Sequence, residues 1–167
     1  MELIYRNGNI SDLQQLKRLA INSWGKFQDK LTIENWQILY NSLIDDKTYS
    51  TLFGNAECIV CENEVNKIIG MAFFVSSGNP TEIYDKEWSY IRFVSVEPEF
   101  CGKGIGRKLT EMCIDLAKSK NEKTIALHTS ELMENARNLY ESLGFTILRE
   151  IDRRFGKRYW LYKLELI

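Results

Sequence analysis

Three glycines spaced two residues apart, Gly102, Gly104 and Gly106, stand between a strand-like run and a helix-like run. Alternating glycines let the backbone curl so that several N–H groups point into one concavity, and the start of the following helix adds positive potential. The segment therefore predicts an anion site. It is neither a Walker-type loop, which ends in Gly-Lys-Ser/Thr, nor G-x-G-x-x-G, because Arg107 occupies the third glycine position. A tight strand-to-helix turn without a ligand is the alternative.

A second group of polar side chains lies on a helix predicted over residues 132–143, which Gly144 ends as a C-cap. Asn135 and Asn138 are three residues apart and share one face of that helix. Tyr140 lies about 140° round from Asn135 on an ideal helix, so the two would meet different parts of a ligand. The alternative is an exposed asparagine pair with a tyrosine that faces the core.

The elements that position these residues follow from hydrophobic periodicity and turn signals. Strands are predicted over residues 3–6, 56–62, 67–76, 88–96, 124–128, 145–149 and 158–166. One helix opens at a Ser11–Gln14 capping box, a second at the N-cap Thr32, a third after the glycines and a fourth over 132–143. The order β-α-α-β-β-β-α-β-α-β-β predicts a single α/β (α+β) domain over residues 1–167, with a mixed sheet of about seven strands and about four helices.

Composition excludes several classes of protein. A net charge of −1 removes the broad basic surface that nucleic-acid binding requires. The longest apolar run, residues 68–75, is far shorter than the ~18 residues of a membrane-spanning helix, so we expect no membrane partner. The N-terminal segment MELIYRNGNIS carries Glu2 and no extended apolar core. It does not predict a signal peptide, and we expect a cytoplasmic protein.

The four cysteines are interpreted as reduced thiols. Cys58 and Cys61 form a C-x-x-C within a predicted strand, where residues three apart point to opposite faces. With no second pair and His128 as the single histidine, we expect no metal site.

The glycine segment CGKGIG, residues 101–106, resembles the Gln/Arg-x-x-Gly-x-Gly/Ala motif of the GNAT superfamily of N-acetyltransferases. The pattern N-x-x-x-L-Y-x-x-x-G-F over residues 135–145 resembles that family's fourth-helix signature. Cys101 departs from the motif, where a Gln or Arg is usual. The resemblance covers essentially the whole chain and implies a mostly antiparallel sheet, with acetyl-coenzyme A held in a cleft between two splayed parallel strands and no metal.

The resemblance also implies a role for each matching position. Val94 and Val96 would offer backbone groups to the pantetheine arm and the acetyl carbonyl, and Asn135 and Asn138 would hydrogen-bond the coenzyme. Tyr140 would supply the proton that the departing thiolate takes up. The pyrophosphate would be held by backbone amides of the loop, with charge added by two of its side chains, over the residues Cys101, Gly102, Lys103, Gly104, Ile105, Gly106 and Arg107.

Direct attack by a primary amine requires its free base, yet an amine of pKa ~10.4 is neutral in only about one molecule in 2,500 at pH 7. Many family members carry a Glu on the strand before the glycine loop, and here Tyr90 occupies the matching place. We rank water relayed through backbone groups or Tyr90 as the first candidate for the proton acceptor, Glu87 as the second and His128 as the third.

The acceptor itself is open between a small-molecule amine and a peptide or protein amine. Its site is expected among the first two helices and the hairpins, with Trp24, Phe27 and Trp36 as candidate wall residues. Residues 153–158 form a basic cluster that would attract an acidic acceptor, although a solvated loop is the simpler interpretation. The C-terminal strand, if it lies at an edge, offers a surface for a homodimer.

Three other functions compete with direct acetyl transfer. Cys101 would carry an acyl group only if a base activated it, and no histidine is near it in sequence. An acetyl-coenzyme A sensor of the same fold would bind the coenzyme without catalysis. A purely structural domain would use the glycines only as a turn.

Overall fold

The computed structural model describes residues 1–167 and contains seven strands and five α-helices. The strands are β1 (Ile4–Asn7), β2 (Ala56–Glu62), β3 (Ile68–Val75), β4 (Ser89–Val96), β5 (Thr124–Ser130), β6 (Thr146–Arg154) and β7 (Lys157–Glu165). The helices are α1 (Leu13–Gly25), α2 (Ile33–Leu43), α3 (Asp46–Asn55), α4 (Ile105–Ser119) and α5 (Glu134–Ser142).

The strands form one mixed sheet in the order β1-β2-β3-β4-β5-β7-β6. Every neighbouring pair is antiparallel except β4 and β5, which are parallel and connected through α4. The predicted α/β class and the mixed, mostly antiparallel sheet are confirmed. The C-terminal strand β7 does not lie at an edge, because the β6–β7 hairpin docks on β5 through β7 and leaves β6 at the edge.

Helix α3 is the element that sequence periodicity missed, so the helices number five rather than about four. Asp45 caps it by accepting a hydrogen bond from the Lys47 N–H. Thr48, Ser50, Thr51 and Gly54 dilute its helix propensity. Burial of Tyr49 and Leu52 against the sheet stabilises the helix instead, since tertiary packing overrides weak propensity.

The observed caps of two other helices agree in part with those predicted from the sequence. Thr32 caps α2, as predicted, by accepting a hydrogen bond from the Asn35 N–H. The predicted Ser11–Gln14 capping box is wrong: the box is formed by Asn9 and Asp12 and opens a 3-10 turn that leads into α1. The Asp12 carboxylate reaches back to the Asn9 N–H at 2.9 Å and also pairs with a guanidinium, which explains its selection over Gln14.

The sheet separates two hydrophobic layers. One contains α1, α2 and α3 and includes Leu16, Leu39 and Tyr49; the other contains α4 and α5 and includes Leu109 and Tyr140. Cys58 belongs to the first layer and Cys61 to the second, as the strand alternation predicts. None of the helices has the length and apolarity needed to cross a lipid bilayer.

Candidate active site

A gap opens in the middle of the sheet where β4 and β5 separate. The two strands pair only at Ser89 with Ile125 and at Tyr90 with Ala126. Beyond that point β4 bulges, with Phe93 at φ +55°, so that two of its residues oppose the single residue Ala72 of β3. The bulge increases the local twist, and residues 91–96 of β4 diverge from residues 127–130 of β5.

The glycine loop lies at the open end of this gap, between β4 and α4. Gly102 has φ +80° and Gly104, the N-cap of α4, has φ +82°. A residue with a Cβ would be strained there by roughly 1–2 kcal/mol. An ideal Cβ at either position would meet nothing within 4 Å, so backbone conformation and not space requires glycine.

Backbone donors of the loop are unpaired within the protein. None of the N–H groups from Gly102 to Arg107 donates a hydrogen bond to a protein acceptor, and the first that does is Lys108, to the Gly104 carbonyl at 3.0 Å. The start of α4 adds its dipole to these donors. This row of free N–H groups has the chemistry of a phosphate-binding site.

The two cationic side chains of the loop differ in their partners within the protein. Arg107 turns toward the end of α5, where it donates to Ser142 Oγ at 2.8 Å and lies 3.8 Å from Glu111. The exposed Lys103 has its Nζ 5.5 Å from the Phe100 ring centroid. Cys101 is exposed too. Of the two cations, Lys103 is therefore the one without an ion pair.

Helix α5 presents the second group of predicted site residues. Asn135 and Asn138 are exposed, and neither makes a side-chain hydrogen bond to the protein. Tyr140 is 6% exposed and packs edge-on against Phe145, with ring centroids 6.0 Å apart. Its hydroxyl has no protein partner and is not sealed from solvent. Burial raises the pKa of Tyr140, with a further contribution from Cys113, so its hydroxyl keeps its proton at neutral pH.

Three aromatic side chains meet at the gap on the opposite face of the sheet, the face covered by α1 and α2. The rings of Tyr84 and Tyr90 stack with centroids 4.0 Å apart and planes 8° from parallel. The Tyr84 hydroxyl lies 2.6 Å from Nδ1 of His128, and Tyr90 donates its hydroxyl proton to the Asn79 carbonyl at 2.8 Å. Tyr84 belongs to the irregular loop before β4, where no periodic pattern could have indicated it.

Arg92 adds a positive charge to this group, and the sequence prediction missed it. It lies two residues from Tyr90 on β4, with its guanidinium 5.4 Å from the Phe93 ring centroid. Its guanidinium makes neither an ion pair nor a hydrogen bond within the protein, although the residue is only partly exposed. Burial raises the pKa of Tyr90 and Arg92 opposes that shift. Burial, then Arg92 and Arg154, lower the pKa of His128 to about 3.

The remaining predicted residues lie at different distances from the gap. Val94 and Val96 are on the diverging part of β4 and are partly exposed. Glu87 is exposed in the turn before β4 begins, so its carboxylate precedes the β4–β5 pairing and does not lie on the diverging segment. Trp24 and Trp36 are partly buried against the layer of α1 and α2.

The tip of the β6–β7 hairpin also reaches this face. An added Cβ at Gly156 would lie 2.9 Å from Asn35 Nδ2 on α2, and Phe155 packs against the same layer. The tip of the basic hairpin thus lies beside α2, while Arg153 and Arg158 are exposed. No group of three or more His, Cys, Asp or Glu side chains is placed to bind a metal ion.

A glycine loop with free N–H groups at the open end of a gap between two parallel strands is typical of α/β proteins that bind a cofactor through its phosphates. Residues 16–145 match the family described as the Acetyltransferase (GNAT) family. The chain belongs to that family and is an acetyltransferase. The resemblance found in the two sequence motifs is confirmed.

Relatives and solved structures agree with this assignment. The chain is 33% identical over 78 residues to N-alpha-acetyltransferase 30 of Schizosaccharomyces pombe, a match that covers 44% of this chain and 52% of that protein. It is 24% identical over 173 residues to N-alpha-acetyltransferase 30 of Saccharomyces cerevisiae, covering 99% and 89%. The fold is similar to that of the PaiA N-acetyltransferase of Thermoplasma acidophilum in complex with coenzyme A, with a TM-score of 0.79, 16% identity and 99% of both chains covered.

Proposed function

We propose that this acetyltransferase moves the acetyl group of acetyl-coenzyme A to the α-amine of a peptide or an amino acid. The observation that carries the coenzyme part is the row of free N–H groups from Gly102 to Arg107. The first turn of a helix leaves its N–H groups without intrahelical partners, and the glycine loop adds further free donors beside them, so this row at the start of α4 offers an anion several N–H groups at once. The pyrophosphate of the coenzyme is such an anion.

The coenzyme is assigned to residues on both sides of the gap. Backbone groups of Val94 and Val96 would hold the pantetheine arm, Lys103 would add charge near the loop, and Asn135 and Asn138 would hydrogen-bond the coenzyme from α5. When bound, the coenzyme supplies the acetyl group as an activated thioester. Tyr140 holds its proton on Oη at neutral pH, and we assign it the role of proton donor to the leaving thiolate.

Proton removal from the amine is assigned to water held by Tyr90. The Tyr90 hydroxyl donates its hydrogen to the Asn79 carbonyl, so the lone pairs of the Tyr90 oxygen are free to accept a hydrogen bond from water. Because burial raises the pKa of Tyr90, the phenol orients a water molecule and does not take the proton itself. Glu87 stays the second candidate for the base, despite its exposed position.

The choice of an α-amine rests on Arg92 and on the names of the relatives. An unpaired, partly buried guanidinium beside Tyr90, on the face of the sheet covered by α1 and α2, favours an acceptor that carries a carbonyl or carboxylate oxygen near its amine. Peptides and amino acids have that arrangement at their α-amine. Two yeast relatives are named N-alpha-acetyltransferases, which supports the same choice.

The coenzyme part is tested by calorimetric titration with acetyl-coenzyme A. The wild type should bind at one site, and Gly104→Glu, which puts a carboxylate beside the loop, should abolish binding. Gly104→Ala is the matched control, since it carries the same backbone strain without the charge and should retain most of the affinity. Circular dichroism establishes that both variants are folded. If the wild type does not bind acetyl-coenzyme A, the glycines form only a structural turn and the proposal is wrong.

The acceptor part is tested by release of free coenzyme thiol with three probes. The first is a short peptide without lysine that has a free α-amine. The second is that peptide with its α-amine formylated and one lysine introduced, and the third is the free amino acid of the first position. We expect turnover with the first or third probe and none with the second. Turnover only with the lysine peptide would refute the α-amine, and binding without turnover on any amine would favour a sensor.

A further inference from the structure

Tyr84 occupies a fixed position beside the only histidine of the chain. Its loop is closed by two hydrogen bonds with Thr81: the Thr81 N–H donates to the Tyr84 carbonyl at 3.0 Å, and the Tyr84 N–H donates to Thr81 Oγ1 at 3.1 Å. The Tyr84 side chain is 2% exposed and stacks on Tyr90. Both its backbone and its ring are thus held in place.

The hydrogen bond between Tyr84 and His128 has only one satisfactory direction. If His128 donated from Nδ1, the Tyr84 hydroxyl hydrogen would need another acceptor, and the hydroxyl has no other partner and is buried. If Tyr84 donates, Nδ1 accepts at 2.6 Å and the buried hydroxyl hydrogen of Tyr84 has its acceptor. The neutral imidazole then carries its proton on Nε2.

The Nε2 atom is free to act on a ligand. His128 follows the last β4–β5 pair by two residues, on the same face as Ala126 and Tyr90. Its side chain is partly exposed. The Nε2 atom has no hydrogen-bond partner in the protein and is not completely buried. The Nε2–H group is therefore unpaired and accessible to a ligand.

We propose that Tyr84 fixes His128 in the tautomer protonated on Nε2, which makes His128 a hydrogen-bond donor to the acceptor and removes it from the candidates for the base. Tyr84 is a positioning residue and His128 binds the acceptor. Burial, and then the positive charges of Arg92 and Arg154, lower the pKa of His128 and favour its neutral form. A donor at Nε2 beside the unpaired Arg92 suits an acceptor that offers an oxygen atom; this role rests on the proposed function, whereas the tautomer does not.

The tautomer is read directly from the ring nitrogens of protein labelled with 15N-histidine. Because the chain has one histidine, a long-range proton–nitrogen correlation spectrum contains a single imidazole. We expect a protonated, pyrrole-type shift at Nε2 and an unprotonated, pyridine-type shift at Nδ1. A protonated Nδ1 in the wild type would overturn the proposal, whatever the activity of the protein.

Two variants separate the hydrogen bond from packing. Tyr84→Phe keeps the ring stacked on Tyr90 and should shift the tautomer population toward Nδ1. The control Tyr159→Phe alters another tyrosine near the imidazole, with centroids 6.0 Å apart, and should leave the tautomer unchanged. An unchanged spectrum in Tyr84→Phe would overturn the proposal, and the wild-type spectrum decides it alone if that variant does not fold.

Kinetics then test the role toward the acceptor. Loss of an aligned neutral hydrogen-bond donor should raise the acceptor KM about fivefold in Tyr84→Phe, with the KM for acetyl-coenzyme A unchanged. A fall in kcat alone with unchanged acceptor KM would instead assign His128 to the chemical step and contradict this role. The spectrum and the titration with acetyl-coenzyme A remain interpretable in either case.

Discussion

Asn22 of α1 donates a hydrogen bond from Nδ2 to Oε1 of Glu97 at 2.7 Å. Glu97 lies directly after β4 and before the glycine loop. Glu97 is 6% exposed, and its second carboxylate oxygen has no partner. Asn22 is the only side chain that satisfies this buried carboxylate, and it ties α1 to the strand end that leads into the loop.

Asn22→Leu should therefore lower the free energy of unfolding by roughly 1–3 kcal/mol, because it leaves a buried carboxylate without a donor. Urea denaturation measures the change. Gln14→Leu, an exposed position on the same helix, is the control and should change stability by less than about 0.5 kcal/mol. Equal effects of the two variants would show that the hydrogen bond is not the cause.

Tyr140→Phe should lower kcat by about a hundredfold or more, as expected for loss of a positioned general acid, and leave coenzyme affinity unchanged. The hydroxyl has no protein partner, so the variant should keep its packing and its stability within about 0.5 kcal/mol. Steady-state kinetics and thermal denaturation measure the two quantities. An unchanged kcat would remove Tyr140 from the chemical step.

Arg92→Gln should weaken binding of acceptors that carry a carboxylate near the amine. Loss of a charge-assisted hydrogen bond of about 1.5–3 kcal/mol corresponds to a rise in KM of about tenfold or more. Paired peptides that differ only by Glu or Gln at the second position supply the comparison. The KM for the Gln peptide should change less; if both rise equally, Arg92 supports the fold of the site and does not select the acceptor.

Asp12 predicts a pH dependence of stability. The hydrogen bonds from Arg6, both at 2.9 Å, lower the pKa of Asp12 below its usual value. A group with a lowered folded-state pKa contributes stability above its unfolded pKa of about 3.9 and loses it as pH falls through the folded pKa. Asp12→Asn should cost roughly 1–3 kcal/mol at neutral pH.

That cost should shrink as the pH falls below about 4, because the wild-type carboxylate then becomes protonated. Urea denaturation of both proteins across the pH range gives the two curves. Asp29→Asn, at an exposed aspartate, is the control. A constant difference between wild type and Asp12→Asn at every pH would indicate that the pair with Arg6 is not the source of the stability.

Much of the fold was visible in the sequence because it depends on local patterns. The strand alternation in β2 placed Cys58 and Cys61 in opposite layers, and Thr32 was recognisable as a cap. The glycines marked the loop, because the positive φ of Gly102 and Gly104 leaves a signature in residue type. These features need only neighbours in the chain.

The features that the sequence did not indicate depend on residues far apart. Tyr84 and His128 are 44 positions apart, and their hydrogen bond follows from how an irregular loop folds back on β5. Helix α3 is stabilised by the burial of Tyr49, a tertiary effect. Arg92 could have been noticed as the residue two positions after Tyr90, although its lack of an ion pair is a property of its surroundings.

The two backbone pairs between β4 and β5 have a consequence for cooperativity. They join one half of the sheet, β1 to β4, to the other half, β5 to β7, through a much shorter ladder than those within either half. The halves are therefore two structural units coupled mainly by α4 and the side-chain layers. A ligand that lies in the gap contacts both units, so its binding free energy strengthens their coupling and makes the whole domain unfold as one.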